Sequence, residues 1–135
     1  VINREGGVGL IAHRTNVVSD KTIGAAIEVH RTLGPGLLES SYHDCLCREL
    51  ELREIAYCSK VALPLSYKGL RIGKGYVIDL LIEDSLIVEL KSVDKLLAIH
   101  TAQLMTYMRL KGISAGLLMN FNVDLLPHGI KRLLL

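Results

Sequence analysis

The sequence predicts an α/β fold, helices packed against a mixed sheet, and three observations carry that prediction. Apolar residues recur at spacings of three and four over residues 19–53 and 96–111, which is the helical period. Short, nearly continuous apolar runs bounded by turn residues occupy 76–93 and 115–121, as buried strands do. The resulting order α, α, β, β, β, α, β contains no internal repeat and fits one layered domain, which is all that 135 residues allow.

Ser19 or Asp20 can cap a first helix that carries Ile23, Ala26, Ile27, His30 and Leu33 on one side and stops at Gly34-Pro35-Gly36. A second helix is expected from about Leu37 to Arg53, with Leu38, Tyr42, Cys45, Leu46 and Leu50 as its apolar stripe. The period then changes. Val61 to Tyr67 reads as a strand that Pro64 confines to an edge or a bulge, and Lys68 to Gly75 as a turn region. Tyr76–Ile82 and Leu86–Val93 form a hairpin joined by Glu83-Asp84-Ser85. Leu96 to Lys111 is a helix ended by Gly112, Ala115 to Phe121 a further buried strand, and Ile130 to Leu134 a short return strand.

Composition narrows the function. Half of the residues are apolar (50%), which excludes a disordered chain, and the apolar runs are too short to span a bilayer. Lys and Arg number 16 against 14 Asp and Glu, leaving +2, so bulk charge does not announce a nucleic-acid partner and any such binding needs a local patch. With Phe 1 and Trp 0, a broad platform for stacking bases is disfavoured. The three cysteines lack zinc-ligand spacing and read as reduced, small, buried hydrophobes. Residues 1–18, with Gly6, Gly7 and Gly9 and no secretory pattern, are read as a leader, mobile or foreign to the protein, ahead of a single domain over 19–135. No lipidation motif closes the chain, so the cytoplasm is the expected location. The apolar fraction in so small a domain suggests a homodimer.

Charges in the apolar strands carry the chemistry. Asp79 interrupts Val77-Ile78-Asp79-Leu80-Leu81-Ile82, and Glu89 and Lys91 project from one face of Leu86-Ile87-Val88-Glu89-Leu90-Lys91. An unpaired carboxylate inside a sheet costs several kcal/mol, roughly, so something must neutralise these acids. A two-residue turn at Asp84-Ser85 would oppose Asp79 to Leu90 and separate the charges. A three-residue turn over Glu83 to Ser85, or a single bulge, sets Asp79 opposite Glu89 with Lys91 next along the same face, and this is the predicted register. All-oxygen ligation by such a pair favours Mg²⁺ or Mn²⁺; a self-satisfied Asp-Glu-Lys network is the competing reading. Glu39 shares a helical stripe with Tyr42 and Leu46 and is either a third acid beside the sheet or an exposed first-turn acid favoured by the helix dipole. On the last long helix His100, Gln103 and Tyr107 share a polar seam beside the apolar Leu97, Leu104 and Met108. Lys68, Arg71 and Lys74 form either a phosphate contact or a solvated basic turn.

Asp79, Glu89-Leu90-Lys91 and the helix Gln103-Leu104-Met105-Thr106-Tyr107 together resemble the PD-(D/E)XK phosphodiesterase superfamily. Gly34-Pro35-Gly36-Leu37-Leu38-Glu39-Ser40-Ser41-Tyr42, Tyr67-Lys68-Gly69, Asp79-Leu80-Leu81-Ile82-Glu83, Val88-Glu89-Leu90-Lys91 and Gly116 to Phe121 resemble, more closely, the GxxExxY proteins of that superfamily. One departure is that Ile78, not Pro, precedes Asp79. The resemblance implies a restriction-endonuclease-like core, helices flanking a central four- to five-stranded mixed sheet. It implies that Asp79, Glu89, Glu39 and the carbonyl of Leu90 bind Mg²⁺ or Mn²⁺, that Lys91 orients water, and that Gln103 and Tyr107 support the site and the nucleic-acid strand. The expected activity is metal-dependent hydrolysis of nucleic acid, DNA in preference to RNA. The alternative is an inactive module of the same fold that binds nucleic acid or a protein partner.

Overall fold

The computed structural model describes the backbone of residues 4–73 and 75–135, with side chains from Thr15 onward; residues 1–3 of the expected leader and Lys74 of the expected basic turn lie outside the described residues. The first helix, α1, runs Arg4–Leu33. Ser19 and Asp20, expected as its cap, therefore lie in its interior: Ser19 and Val18 are buried, and the Thr22 hydroxyl donates back to the Val18 carbonyl at 2.8 Å. The stop is where the sequence puts it. Gly34 adopts φ 72° and its amide donates to the His30 carbonyl at 2.7 Å, the left-handed ending that glycine permits.

Helix α2 spans Glu39–Leu52 and begins two positions after the expected Leu37. Its buried side is Tyr42, His43, Leu46 and Leu50, whereas Leu38, assigned to the stripe, is exposed. The Tyr42 hydroxyl donates to the Gly34 carbonyl at 2.5 Å and accepts the Leu37 amide at 3.1 Å, while its ring stacks on Phe121 at 4.6 Å. One tyrosine thus ties the end of α1 and the start of α2 to the core.

The strands are β1 (Tyr57–Ala62), β2 (Leu65–Tyr67), β3 (Leu70–Ile72), β4 (Val77–Ile82), β5 (Leu86–Lys91), β6 (Ala115–Asn120) and β7 (Ile130–Leu134), with α3 (Ala98–Lys111) between β5 and β6 and a 3-10 turn at Leu126–Gly129. Five of them form one sheet in the order β1-β4-β5-β6-β7, and β2-β3 form a separate ribbon. Only the β5–β6 pair is parallel, and α3 supplies the crossover that a parallel pair requires. The expected strand Val61–Tyr67 is two strands. Pro64 has no amide to donate, so β1 ends at Ala62 and the chain leaves for the ribbon. β3 occupies part of the segment expected to be only a turn. The start of β1 escaped the sequence because an edge strand with Cys58, Ser59 and Lys60 exposed lacks an apolar run.

Helices α1 and α2 cover one face of the sheet, packing Val18, Ala25, Val29, Leu46 and Leu50 on Leu80, Val88, Leu90 and Leu117. Helix α3 covers the other with Leu104, Tyr107 and Met108 on Leu81, Ile87 and Leu118. β6 is buried along its whole length, as a central strand covered on both faces should be. The loop after it is tied to α1 by the buried His30, whose Nε2–H points at the carbonyls of Phe121 (3.1 Å) and Val123 (2.9 Å). Cys45 and Cys47 are half-buried and Cys58 is exposed, which corrects the expectation that all three are buried. Among the described residues no helix is long and apolar enough to cross a membrane.

Candidate functional site at the fork of β4 and β5

The hairpin register sets the site. Leu80 faces Val88, Leu81 faces Ile87 and Ile82 faces Leu86, so three residues, Glu83 to Ser85, make the turn. Glu83 (φ 47°) and Asp84 (φ 55°) are left-handed, and the Ser85 amide donates to the Ile82 carbonyl at 3.0 Å. The next residues outward, Asp79 and Glu89, lie beyond the paired register.

At that pair the carboxylates take over from the backbone ladder. The Asp79 amide donates to Glu89 Oε1 at 3.0 Å, and the Leu90 amide donates to Asp79 Oδ2 at 2.8 Å. The fork coincides with a roll of β4, while β5 keeps its alternation with Val88 and Leu90 both on the α1–α2 side. Ile78 packs on the α3 side and Leu80 on the α1–α2 side, although residues two apart in a regular strand share a face. On β1 the break falls at Lys60: Ser59 still faces Leu80 and Val61 faces Ile78, while Lys60 between them has φ 55°. A left-handed lysine thus stands opposite Asp79, where the regular β1–β4 pairing is interrupted.

Asp79 is then surrounded by polar groups. Its Oδ1 lies 3.7 Å from Lys60 Nζ, and its carbonyl accepts His43 Nε2–H at 3.2 Å, a proton that Ser59 Oγ at 3.1 Å shares. The backbone oxygen can only accept, so His43 carries a proton on Nε2. Glu39, Ser40, His43, Lys60, Asp79 and Leu90 line a cavity of ≈ 70 Å³. The Leu90 amide points at Asp79, and a strand residue directs its carbonyl to the same side as its amide, so the Leu90 oxygen also faces the fork.

The acids repel one another. Burial first, and then the Asp79 charge, push the Glu89 carboxyl up to about 8, with Lys91 acting in the opposite direction. Partial burial followed by Asp79 raises Glu39, and Lys91, Lys60 and His43 counter that rise. Glu39 itself is exposed, which selects the first-turn reading over a buried one. Gln103 Nε2 donates to the Tyr107 hydroxyl oxygen at 3.0 Å, leaving the phenol proton free to donate elsewhere. Burial and then Glu89 raise the Tyr107 phenol, so the α3 pair faces the same acid. His100 leaves the expected seam: its Nδ1 accepts the Leu97 amide at 3.0 Å at the helix start.

Asp79, Glu89, Leu90, Lys91 and Tyr107 are thus brought to one fork, with Glu39 above it. Lys60 and His43 were not found from the sequence. His43 is four residues after Glu39 and shares its helix face, a readable signal; Lys60 gave none, because the turn it makes is a backbone event. Among the described residues no three of His, Cys, Asp and Glu gather closely enough to cage a metal by themselves. The donor set nevertheless fits a hard divalent ion, since Asp79, Glu39, Glu89 and the Leu90 carbonyl are all oxygen and Mg²⁺ keeps several waters beside one or two carboxylates.

Compared with known families, residues 16–133 match the model of the PD-(D/E)XK nuclease superfamily. No curated protein matches the chain, and no solved structure does.

Proposed function

Since the chain belongs to the PD-(D/E)XK nuclease superfamily, we propose that it is a phosphodiesterase that hydrolyses nucleic acid, DNA in preference to RNA, with Mg²⁺ or Mn²⁺. The observation that carries this reading is the carboxylate pair Asp79 and Glu89 on neighbouring strands, each bonded at the backbone amides of the fork. Asp79 of that pair also lines an opening together with a third acid, Glu39.

In this reading Asp79, Glu89, Glu39 and the Leu90 carbonyl hold the cation. A bound divalent cation supplies Lewis-acid polarisation of the phosphodiester and readies water as a nucleophile at neutral pH. The Lys91 ammonium orients that water and offsets charge developing on the phosphate, a role that does not require it to lose its proton. Gln103 holds the Tyr107 oxygen so that the phenol proton is presented toward the substrate strand or Glu89. Lys60 stands against Asp79 as the resident counter-charge. A homodimer would use the edge strand β7, where Leu134 and, just beyond the strand, Leu135 are exposed, and light scattering reads it directly.

The test is cleavage of single- and double-stranded DNA and of RNA in Mg²⁺ and in Mn²⁺. Cleavage lost in both Asp79→Asn and Lys91→Ala supports the reading. Cleavage surviving both overturns it, and absence of cleavage with retained nucleic-acid binding assigns the chain to the inactive module.

A further inference from the structure

The β2–β3 ribbon leaves the main sheet between the two strands that carry Lys60 and Asp79. The Leu63 amide donates to the Tyr76 carbonyl at 2.9 Å and closes its base, three positions before Asp79. Lys68 (φ 46°) and Gly69 (φ 83°) make the two-residue turn at its tip. Leu65 faces Ile72, Ser66 faces Arg71 and Tyr67 faces Leu70, so one side of the ribbon is Leu65, Tyr67, Leu70 and Ile72 and the other carries Arg71. That apolar side is uncovered: Tyr67 is 62% exposed and Leu70 63%.

The charge of this segment departs from that of the chain. From Ile55 to Ile78 there is no Asp or Glu, while Lys60, Lys68, Arg71 and Lys74 all fall within it. Among the described residues neither Lys68 nor Arg71 makes an ion pair, and the Lys68 ammonium lies 5.3 Å from the centre of the Tyr67 ring. At the base, Tyr76 meets Tyr107 edge to face at 6.4 Å, which joins the ribbon to the α3 side of the fork.

We infer that the ribbon is a substrate arm that binds single-stranded nucleic acid, Lys68 and Arg71 on phosphates and the Tyr67–Leu70 side against unpaired bases. This rests on the nuclease reading for its purpose but not for its chemistry. Cations without an acid partner, such as Lys68 and Arg71, select a polyanion. An apolar, aromatic side selects base faces, which a duplex hides in its stack and a single strand offers; duplex grooves present polar edges instead.

Binding of a labelled oligo(dT) and of a blunt duplex of equal length is measured by fluorescence anisotropy in EDTA with the full chain. The variants are Lys68→Glu/Arg71→Glu and Tyr67→Ala/Leu70→Ala, with Lys68→Gln/Arg71→Gln in reserve should the charge reversal disturb folding by circular dichroism. Each pair should raise the Kd for oligo(dT) about tenfold or more, and the charge pair should lower the salt slope by about 1.4, two single-strand phosphate contacts. An unchanged Kd and slope, a loss confined to the duplex, or a parent chain that does not bind oligo(dT) at low salt overturns the arm. Cleavage by the parent against Asp79→Asn, scored separately, tells whether the nuclease reading falls with it or stands.

Discussion

Asp79 and Glu89 hold the two strands of their hairpin together at the point where the backbone ladder stops: Glu89 Oε1 accepts the Asp79 amide at 3.0 Å, and Asp79 Oδ2 accepts the Leu90 amide at 2.8 Å. Each acid is therefore a structural element as well as a candidate ligand. Substitutions must separate the two roles, and amide isosteres do so because they keep an acceptor oxygen.

Asp79→Asn retains an oxygen for the Leu90 amide while losing the charge. We expect stability within about 1 kcal/mol of the parent and loss of divalent-ion binding, read by thermal melting and calorimetry on the same preparation. Asp79→Ala leaves the Leu90 amide unpaired at the fork and should cost about 1–3 kcal/mol in addition.

Glu89 gives the protein a pH dependence with a defined sign. Its folded-state pKa, raised to about 8 by burial and by Asp79, exceeds the ordinary carboxylate value of 4.5, so the folded state holds a proton that the unfolded state releases between those values. The contribution is fully present below the lower value, declines as pH rises, and is gone above the upper one. In EDTA the protein should lose stability from pH 5 to pH 8 through this group, and Glu89→Gln should flatten that slope and stabilise the fold at pH 8 by roughly 1–3 kcal/mol. Urea melts across that range measure it; a Glu89→Gln curve parallel to that of the parent contradicts it.

Lys60 Nζ, 3.7 Å from Asp79 Oδ1, occupies the side of the carboxylate that a cation would approach. Removing it as Lys60→Ala should tighten Mg²⁺ binding severalfold, while stability moves by less than about 0.5 kcal/mol because the lysine side chain is mostly exposed. Calorimetric titration with Mg²⁺ checks the first and thermal melting the second.

Two buried glycines respond differently to a methyl group. At Gly129 a Cβ would fall on the backbone oxygen of Asn120, which cannot withdraw without disturbing the residue whose side chain accepts the Val93 amide at 3.1 Å. At Gly116 it would meet Met108 Sδ at 2.7 Å and the Leu104 methyls at 3.2 Å, side chains that can shift. Gly129→Ala should cost about 3 kcal/mol or more and Gly116→Ala about 1–2 kcal/mol, read as denaturant midpoints.

Much of this was legible in the chain before any coordinates. Parity alone required a three-residue turn if Asp79 and Glu89 were to share a face, and Leu80 does face Val88. The apolar stripe after Gly34-Pro35-Gly36 predicts the second helix, and the structure sets its start: Tyr42 reaches back to Gly34, so Glu39 opens α2. Other features were out of reach. The apolar pattern starts β1 too late and runs it into β2 because its exposed polar edge has no apolar period, and it starts α1 at Ser19 because a good capping residue is silent inside a longer helix. Glu39 was open between buried and exposed because both positions lie on one helical stripe.

The sequence by itself determined the α/β class, the three-residue hairpin turn, the placement of two acids and a lysine on adjacent strands, and the Gln103–Tyr107 seam, because periods of 2 and 3.6 residues and the cost of burying a charge are local properties. Only the tertiary structure decided that Lys60 turns left-handed opposite Asp79, that His43 donates to the Asp79 carbonyl, and that the β2–β3 ribbon separates from the sheet between β1 and β4. These depend on which distant segments pair, and strand pairing is chosen by the whole core, not by any window of residues.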